Sequence, residues 1–122
     1  MLPRFITKSI HAYLDYPVAF ALMALPFLLG LGQGNILAFW LSLVTGIAAF
    51  VLTVLTDHHL GLFRVLPYGL HLAVDGAVGL VFVVAPIALG LSGIEFWYYM
   101  GLGLTVLAVV SLHKPEEDVQ VA

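Results

Sequence analysis

Residues 36–56 read ILAFWLSLVTGIAAFVLTVLT, an uninterrupted apolar run without a single charge. A bilayer core about 30 Å thick is crossed by about 20 apolar residues in a helix. This run is therefore read as one membrane span. Working outward from it, three further stretches have the same length and character: residues 13–31, 70–91 and 94–112. Lipid offers the backbone no hydrogen-bond partners, so a spanning chain must be helical or closed into a barrel. Continuous apolar runs without two-residue alternation exclude the barrel.

The composition agrees. Of 122 residues, 62% are hydrophobic and 9% charged, whereas soluble domains carry about 25% charged residues. Such a chain cannot cover itself with polar groups, and the lipid bilayer becomes its solvent. A net charge of -3 with four basic residues leaves no phosphate-tracking surface and excludes a nucleic-acid partner. The lack of cysteine removes disulfides, thiolate metal sites and cysteine nucleophiles. Arg4 and Lys8 precede the first apolar run, but no small-x-small cleavage site follows it, so that run is expected to stay as a helix.

The breaks between spans are short. Gly32-Gln33-Gly34-Asn35 separates the first two and Ser92-Gly93 the last two, residues suited to tight turns. A longer polar linker, residues 57–69, carries Asp57-His58-His59, Arg64 and Pro67. The tail, residues 114–122, is acidic and expected to be disordered. The domain plan is a first hairpin with a short N-terminal arm (1–56), a linker (57–69), a second hairpin (70–113) and the tail, all one membrane domain. Arg4, Lys8, Arg64 and Lys114 are all the cationic residues, and four spans put them on one side together with both termini. The positive-inside rule assigns that side to the cytoplasm, here of a bacterial plasma (inner) membrane.

The two halves repeat. With a shift of 60 residues, His11-x3-Asp15-x10-Pro26-x3-Gly30 matches His71-x3-Asp75-x10-Pro86-x3-Gly90, and Leu29 and Leu31 match Leu89 and Leu91. After a three-residue shortening in the outer turn, Phe39-Trp40-x5-Gly46 matches Phe96-Trp97-x5-Gly103. Matched His, Asp, Pro and Trp at fixed spacing indicate duplication. The expected fold is an all-α membrane protein of four transmembrane helices, built as two tandem helical hairpins related by a pseudo-twofold axis along the membrane normal. Gly30, Gly46, Gly76, Gly79, Gly90, Gly101 and Gly103 offer small surfaces for close helix contact. Pro26 and Pro86 are expected to shape the ends of the odd helices rather than to act as hinges.

Leu25-Pro26-Phe27-Leu28-Leu29-Gly30-Leu31 and Ala85-Pro86-Ile87-Ala88-Leu89-Gly90-Leu91 resemble the repeated motif of the SPW-repeat family of small bacterial integral membrane proteins. That family pairs Ser-Pro-Trp with a Gly four residues after the Pro. Here Leu25 and Ala85 replace the Ser, and Phe27 and Ile87 the Trp, so the Pro–Gly frame carries the resemblance. The resemblance implies a duplicated helical hairpin and supplies no catalytic residues.

All five histidines (His11, His58, His59, His71 and His113) fall at the predicted cytoplasmic side, as do Asp15, Asp57 and Asp75. His11 and Asp15 are four residues apart and share a helix face, as do His71 and Asp75. If the two odd helices meet, His11, Asp15, His71 and Asp75 converge into a first shell suited to zinc or another divalent metal. Either histidine could alternatively be an axial ligand to haem or chlorin. The plainer alternative is that the aspartates serve the starts of their helices as caps and dipole partners. No chain of acids crosses the membrane, and Glu95 stands alone at the outer interface, which disfavours a transporter or channel. Trp40, Trp97, Tyr98 and Tyr99 toward the outer ends, with Tyr13, Tyr16 and Tyr68 at the inner ends, are read as interfacial belts. The reading is a non-enzymatic structural or accessory subunit that packs against lipid, other membrane subunits or itself. The alternative is a metal- or haem/chlorin-binding protein using the repeated His-x3-Asp pairs.

Overall fold

A computed structural model describes residues 4–57 and 60–113. The acidic tail, Lys114 and the His58-His59 doublet lie outside the described residues. The rest is four α-helices: α1 (Lys8–Leu28), α2 (Ile36–Leu55), α3 (Tyr68–Ala88) and α4 (Gly93–Ser111). Each is long and apolar enough to cross a membrane, and the described chain contains no strand. Between 22% and 28% of each span is buried inside the protein, so most of each helix surface needs an apolar surrounding. The chain is a multi-pass membrane protein.

The helices pair as α1 with α2 and α3 with α4. The bounds of α3 are those of α1 moved by 60 residues, and α4 begins 57 residues after α2. The three-residue difference is the shortened outer turn. Helix α1 starts five residues before the apolar run does, because Thr7 caps it. The Thr7 side chain accepts from the Ile10 N–H at 3.1 Å, and one more polar turn forms ahead of the hydrophobic segment.

The Pro–x3–Gly frame has a definite local meaning. In α1 the Leu31 N–H donates to the Pro26 carbonyl at 2.9 Å and the Gly30 N–H to the Phe27 carbonyl at 3.4 Å. In α3 the equivalent bonds run from Leu91 to Pro86 at 2.9 Å and from Gly90 to Ile87 at 3.3 Å. These paired bonds make a Schellman stop, whose left-handed residue is most cheaply glycine. Gly30 and Gly90 hold that place with φ of 65° and 63°. Pro26 and Pro86 are fully buried and sit in the last turn, so they shape the helix end. Proline lacks the N–H that would reach back to residue i−4. For Pro26 that carbonyl belongs to Leu22, and the Ser42 hydroxyl donates to it instead at 2.7 Å.

Glycine sets the spacing within each hairpin. A Cβ on Gly46 would come within 2.9 Å of the Leu22 Cβ and the Met23 backbone nitrogen. A Cβ on Gly103 would come within 2.9 Å of the Val83 nitrogen and 3.0 Å of the Gly79 carbonyl. The two glycines are equivalent under the repeat, and so are Met23 and Val83. Backbone cannot give way as a side-chain tip can, so G46A and G103A should each cost about 1–3 kcal/mol through overpacking. Unfolding midpoints in detergent should fall for both variants. G101A, where added atoms meet nothing within 4 Å, should leave the midpoint near wild type.

The two hairpins close on each other symmetrically at the end opposite the tight turns. Thr56, just after α2, pairs with Leu66 ahead of α3, and His113, after α4, pairs with Ile6 ahead of α1. These pairings exchange when residues 6 and 56 are moved by 60 and 57, as a twofold relation between hairpins requires. The linker folds back under α2. The Leu62 and Phe63 N–H groups donate to the Val54 carbonyl, and Val65 and Leu66 donate to that of Leu55. The last carbonyls of α2 are thereby satisfied. The linker is less polar than its composition suggested, for Leu62, Phe63 and Val65 are exposed. Apolar side chains in that position suit the headgroup boundary better than open water.

Glu95 is not alone. It is 5% exposed, and its carboxylate accepts from the N–H groups of Gly32 at 2.7 Å and Gly34 at 3.2 Å. The first residues of α4 thus hold the outer turn of the other hairpin. Below it, the Tyr99 hydroxyl donates to the Ala38 carbonyl, and the Tyr98 hydroxyl meets Ser42 Oγ at 2.5 Å. Tyr98 and Tyr99 are therefore interior bridges between hairpins and not belt residues, whereas Trp40 and Trp97 remain exposed.

Candidate metal centre

His11 and His71 occupy the fourth position of α1 and α3, and Asp15 and Asp75 the eighth. All four are therefore one to two turns inside their helices. Neither helix has an acidic residue in its first turn, so the aspartates do not cap or complement the helix starts. They meet the histidines instead. His11 Nε2 lies 2.7 Å from Asp75 Oδ2 and 3.1 Å from Asp15 Oδ1. His71 Nε2 lies 3.1 Å from Asp15 Oδ2 and 3.3 Å from Asp75 Oδ2. Each imidazole thus touches the carboxylate of its own repeat and that of the other.

One ligand atom from each of the four side chains lies within 4.8 Å of all the others. Zinc bonds to histidine nitrogen and carboxylate oxygen are about 2.0–2.2 Å long, so ligand atoms of a tetrahedral site stand roughly 3.3–3.5 Å apart. The contacts at 3.1 and 3.3 Å are close to that spacing, whereas His11 Nε2 and Asp75 Oδ2 at 2.7 Å are directly hydrogen-bonded and would have to part to admit an ion. His11 is 3% exposed and His71 1%, and the site is shut off from bulk water on the histidine side.

The surrounding hydrogen bonds fix how His71 is protonated. The Thr56 hydroxyl donates its only hydrogen to the Leu52 carbonyl at 2.5 Å. Its oxygen can therefore only accept from His71 Nδ1, 2.7 Å away. In a ring carrying its hydrogen on Nδ1, the other nitrogen presents a lone pair, here toward two carboxylate oxygens. Lone pairs facing a carboxylate repel, so this arrangement requires a proton, on the ring or on a carboxyl group, or a cation between them. A donor bond from the far nitrogen is also how metal-ligating histidines are oriented. Tyr68 stacks on the His71 ring, with 6.0 Å between centroids and 15° between planes.

Around His11 the equivalent place is filled differently. His113 takes the repeat position of Thr56. Its ring lies 5.5 Å from that of His11, and its Nε2 is 2.6 Å from the Tyr68 hydroxyl. His11 Nδ1 is buried with no hydrogen-bond partner among the described residues. The two halves of the cluster are thus symmetric in their His/Asp pairs and asymmetric in their support.

The chain matches no family model, no curated protein and no solved structure.

The four residues singled out by spacing come together. Asp57 does not join them: it is exposed, and its N–H pairs with the Leu66 carbonyl at 2.8 Å. Thr56, Tyr68 and His113 were not recognised as supports of the site. The signal was present, since the shortened repeat places Thr56 and His113 at one equivalent position, immediately after the second helix of each hairpin.

Proposed function

We propose that this chain is a non-enzymatic membrane protein that holds one divalent transition-metal ion, zinc being the simplest case, between its two hairpins through His11, Asp15, His71 and Asp75. The observation that carries this reading is the crossed contact pattern, His11 with Asp75 and His71 with Asp15. Four protein ligands that fill a tetrahedron leave no open position, which is the mark of a structural rather than a catalytic metal. Two imidazoles, two carboxylates and a divalent cation sum to no net charge, which suits a site within an apolar bundle. The metal would staple one repeat to the other.

A single ion fits better than haem or chlorin, because both Nε2 atoms already face carboxylate oxygens at 2.7–3.3 Å. We further place the chain in a bacterial plasma membrane with the metal end toward the cytoplasm, on the basic residues Arg4, Lys8 and Arg64 at that end. Its Pro–x3–Gly frame supports kinship with the SPW-repeat proteins. The apolar outer faces of the hairpins suit lipid, and an accessory role against another membrane subunit is compatible with them.

Elemental analysis of the purified protein after exposure to zinc and equilibrium dialysis tests the reading. About one zinc per chain is expected, with loss in H71A and no visible absorption band. Protein that retains no zinc, or the same trace amount in wild type and H71A, would sink it.

A further inference from the structure

The His/Asp cluster is buried on its histidine side and borders a cavity between helices. On the side of α4, a cavity of about 140 Å³ is lined by His11, Asp15 and Asp75 at its polar end and by Leu14, Val18, Thr105, Val106 and Val109 along its walls. It lies between α1 and α4, helices that do not belong to the same hairpin. Val18 and Val106 also line a second, apolar cavity of about 360 Å³ in the middle of the bundle. The two spaces adjoin at these side chains.

His11 Nε2 is engaged by the two carboxylates, and the groups left to meet a guest at the mouth include two acceptors, on Asp75 and Thr105. The Asp75 side chain is 21% exposed, against 10% for Asp15. Both imidazole contacts of Asp75 fall on Oδ2, so Oδ1 takes no part in them. The Thr105 hydroxyl donates to the Gly101 carbonyl at 2.7 Å, which leaves it only lone pairs to offer. A cleft that shows acceptors at one end and valines and leucines along its length selects an amphiphile whose head donates a hydrogen bond. The head should be neutral, because the two carboxylates are already matched by the imidazoles or by a metal. An anionic head would face Asp75 at a cost.

We propose that the α1/α4 cleft is a lateral binding site for a neutral, hydroxyl-headed amphiphile, of the alkylphenol or long-chain alcohol class, that enters from the bilayer. The hydroxyl donates to Asp75 or Thr105, and the chain runs along Val18 and Val106 toward the central cavity. This rests on the placement of Asp75 and Thr105 and holds whether protons or a metal neutralise the cluster.

The test uses the full chain in detergent micelles and a photoreactive alkylphenol with a diazirine in its chain. Labelling should concentrate on Leu14, Val18, Val106 and Val109, and excess 4-nonylphenol should compete. The matching 4-nonylanisole has the same shape without the donor hydrogen and should not compete. T105V should raise the half-competing phenol concentration about 3–10-fold through loss of one acceptor. V106W should abolish cleft labelling, while V81W, on a lipid-facing surface, should not. Labelling spread evenly over lipid-facing residues, or equal competition by the anisole, would overturn the proposal. Zinc content measured on the same samples separates the two readings. Zinc without cleft labelling removes only the amphiphile site, and cleft labelling without zinc removes only the metal.

Discussion

H71A is expected to destabilise the protein by about 3–5 kcal/mol, because it leaves two buried carboxylates facing one imidazole. The loss goes beyond one contact. His71 Nε2 meets Asp15 and Asp75 at 3.1 and 3.3 Å, its Nδ1 holds Thr56, and its ring stacks on Tyr68. The measurement is the unfolding midpoint in mixed micelles with increasing denaturing detergent. D15A alone should be comparably harmful, since it leaves the positive partner short of a carboxylate. The double variant H71A/D15A should then cost clearly less than the two single losses added, because residues in one ionic network couple. His71 and Asp15 belong to different repeats, so that coupling reports directly on convergence of the hairpins. Additive losses would mean that the pairs face apart.

E95A is the second large effect, expected at about 2–4 kcal/mol. Its removal takes the charged acceptor from the half-buried Gly32 N–H and from the N–H of the exposed Gly34, and a hydrogen bond to a charged group contributes about 1.5–3 kcal/mol, less where water replaces it. It also frees the outer turn of the first hairpin from α4. Amide hydrogen exchange should show the result locally, with Gly32 and Gly34 exchanging faster in E95A while the centre of α3 is unchanged. E95Q keeps a carbonyl acceptor and should recover part of the loss. Equal exchange at Gly32 and Gly34 in wild type and E95A would contradict this role for Glu95.

The spans were legible because crossing a bilayer leaves a signal in composition alone, and the duplication because His, Asp, Pro and Trp recur at fixed spacing. The faces of His11–Asp15 and His71–Asp75 were legible too, since four residues make about one helical turn. Whether those faces meet is a question of how two helices lie side by side, and local periodicity carries no such information. The start of α1 was hidden for a different reason: hydropathy marks where the membrane begins, whereas Thr7 sets where the helix begins. Glu95 looked isolated because its partners are backbone N–H groups more than 60 residues earlier in the chain, and backbone donors are invisible to a search for matching side chains. Tyr98 and Tyr99 were misplaced on similar grounds. A tyrosine near a helix end reads as a headgroup anchor until its hydroxyl is found inside, on Ser42 Oγ or the Ala38 carbonyl. The Pro–x3–Gly frame was noticed as a motif, and its reason emerged only with the paired bonds to Pro26 and Pro86.

X-ray absorption at the zinc edge of the loaded protein tests most directly whether the two repeats share one metal. A single shell of nitrogen and oxygen neighbours at about 2.0–2.1 Å is expected, with outer-shell scattering from two imidazoles that falls to one in H11A and, separately, to one in H71A. A six-coordinate shell of oxygens, with imidazole scattering unaltered by either variant, would show zinc bound elsewhere and contradict a shared site between the hairpins.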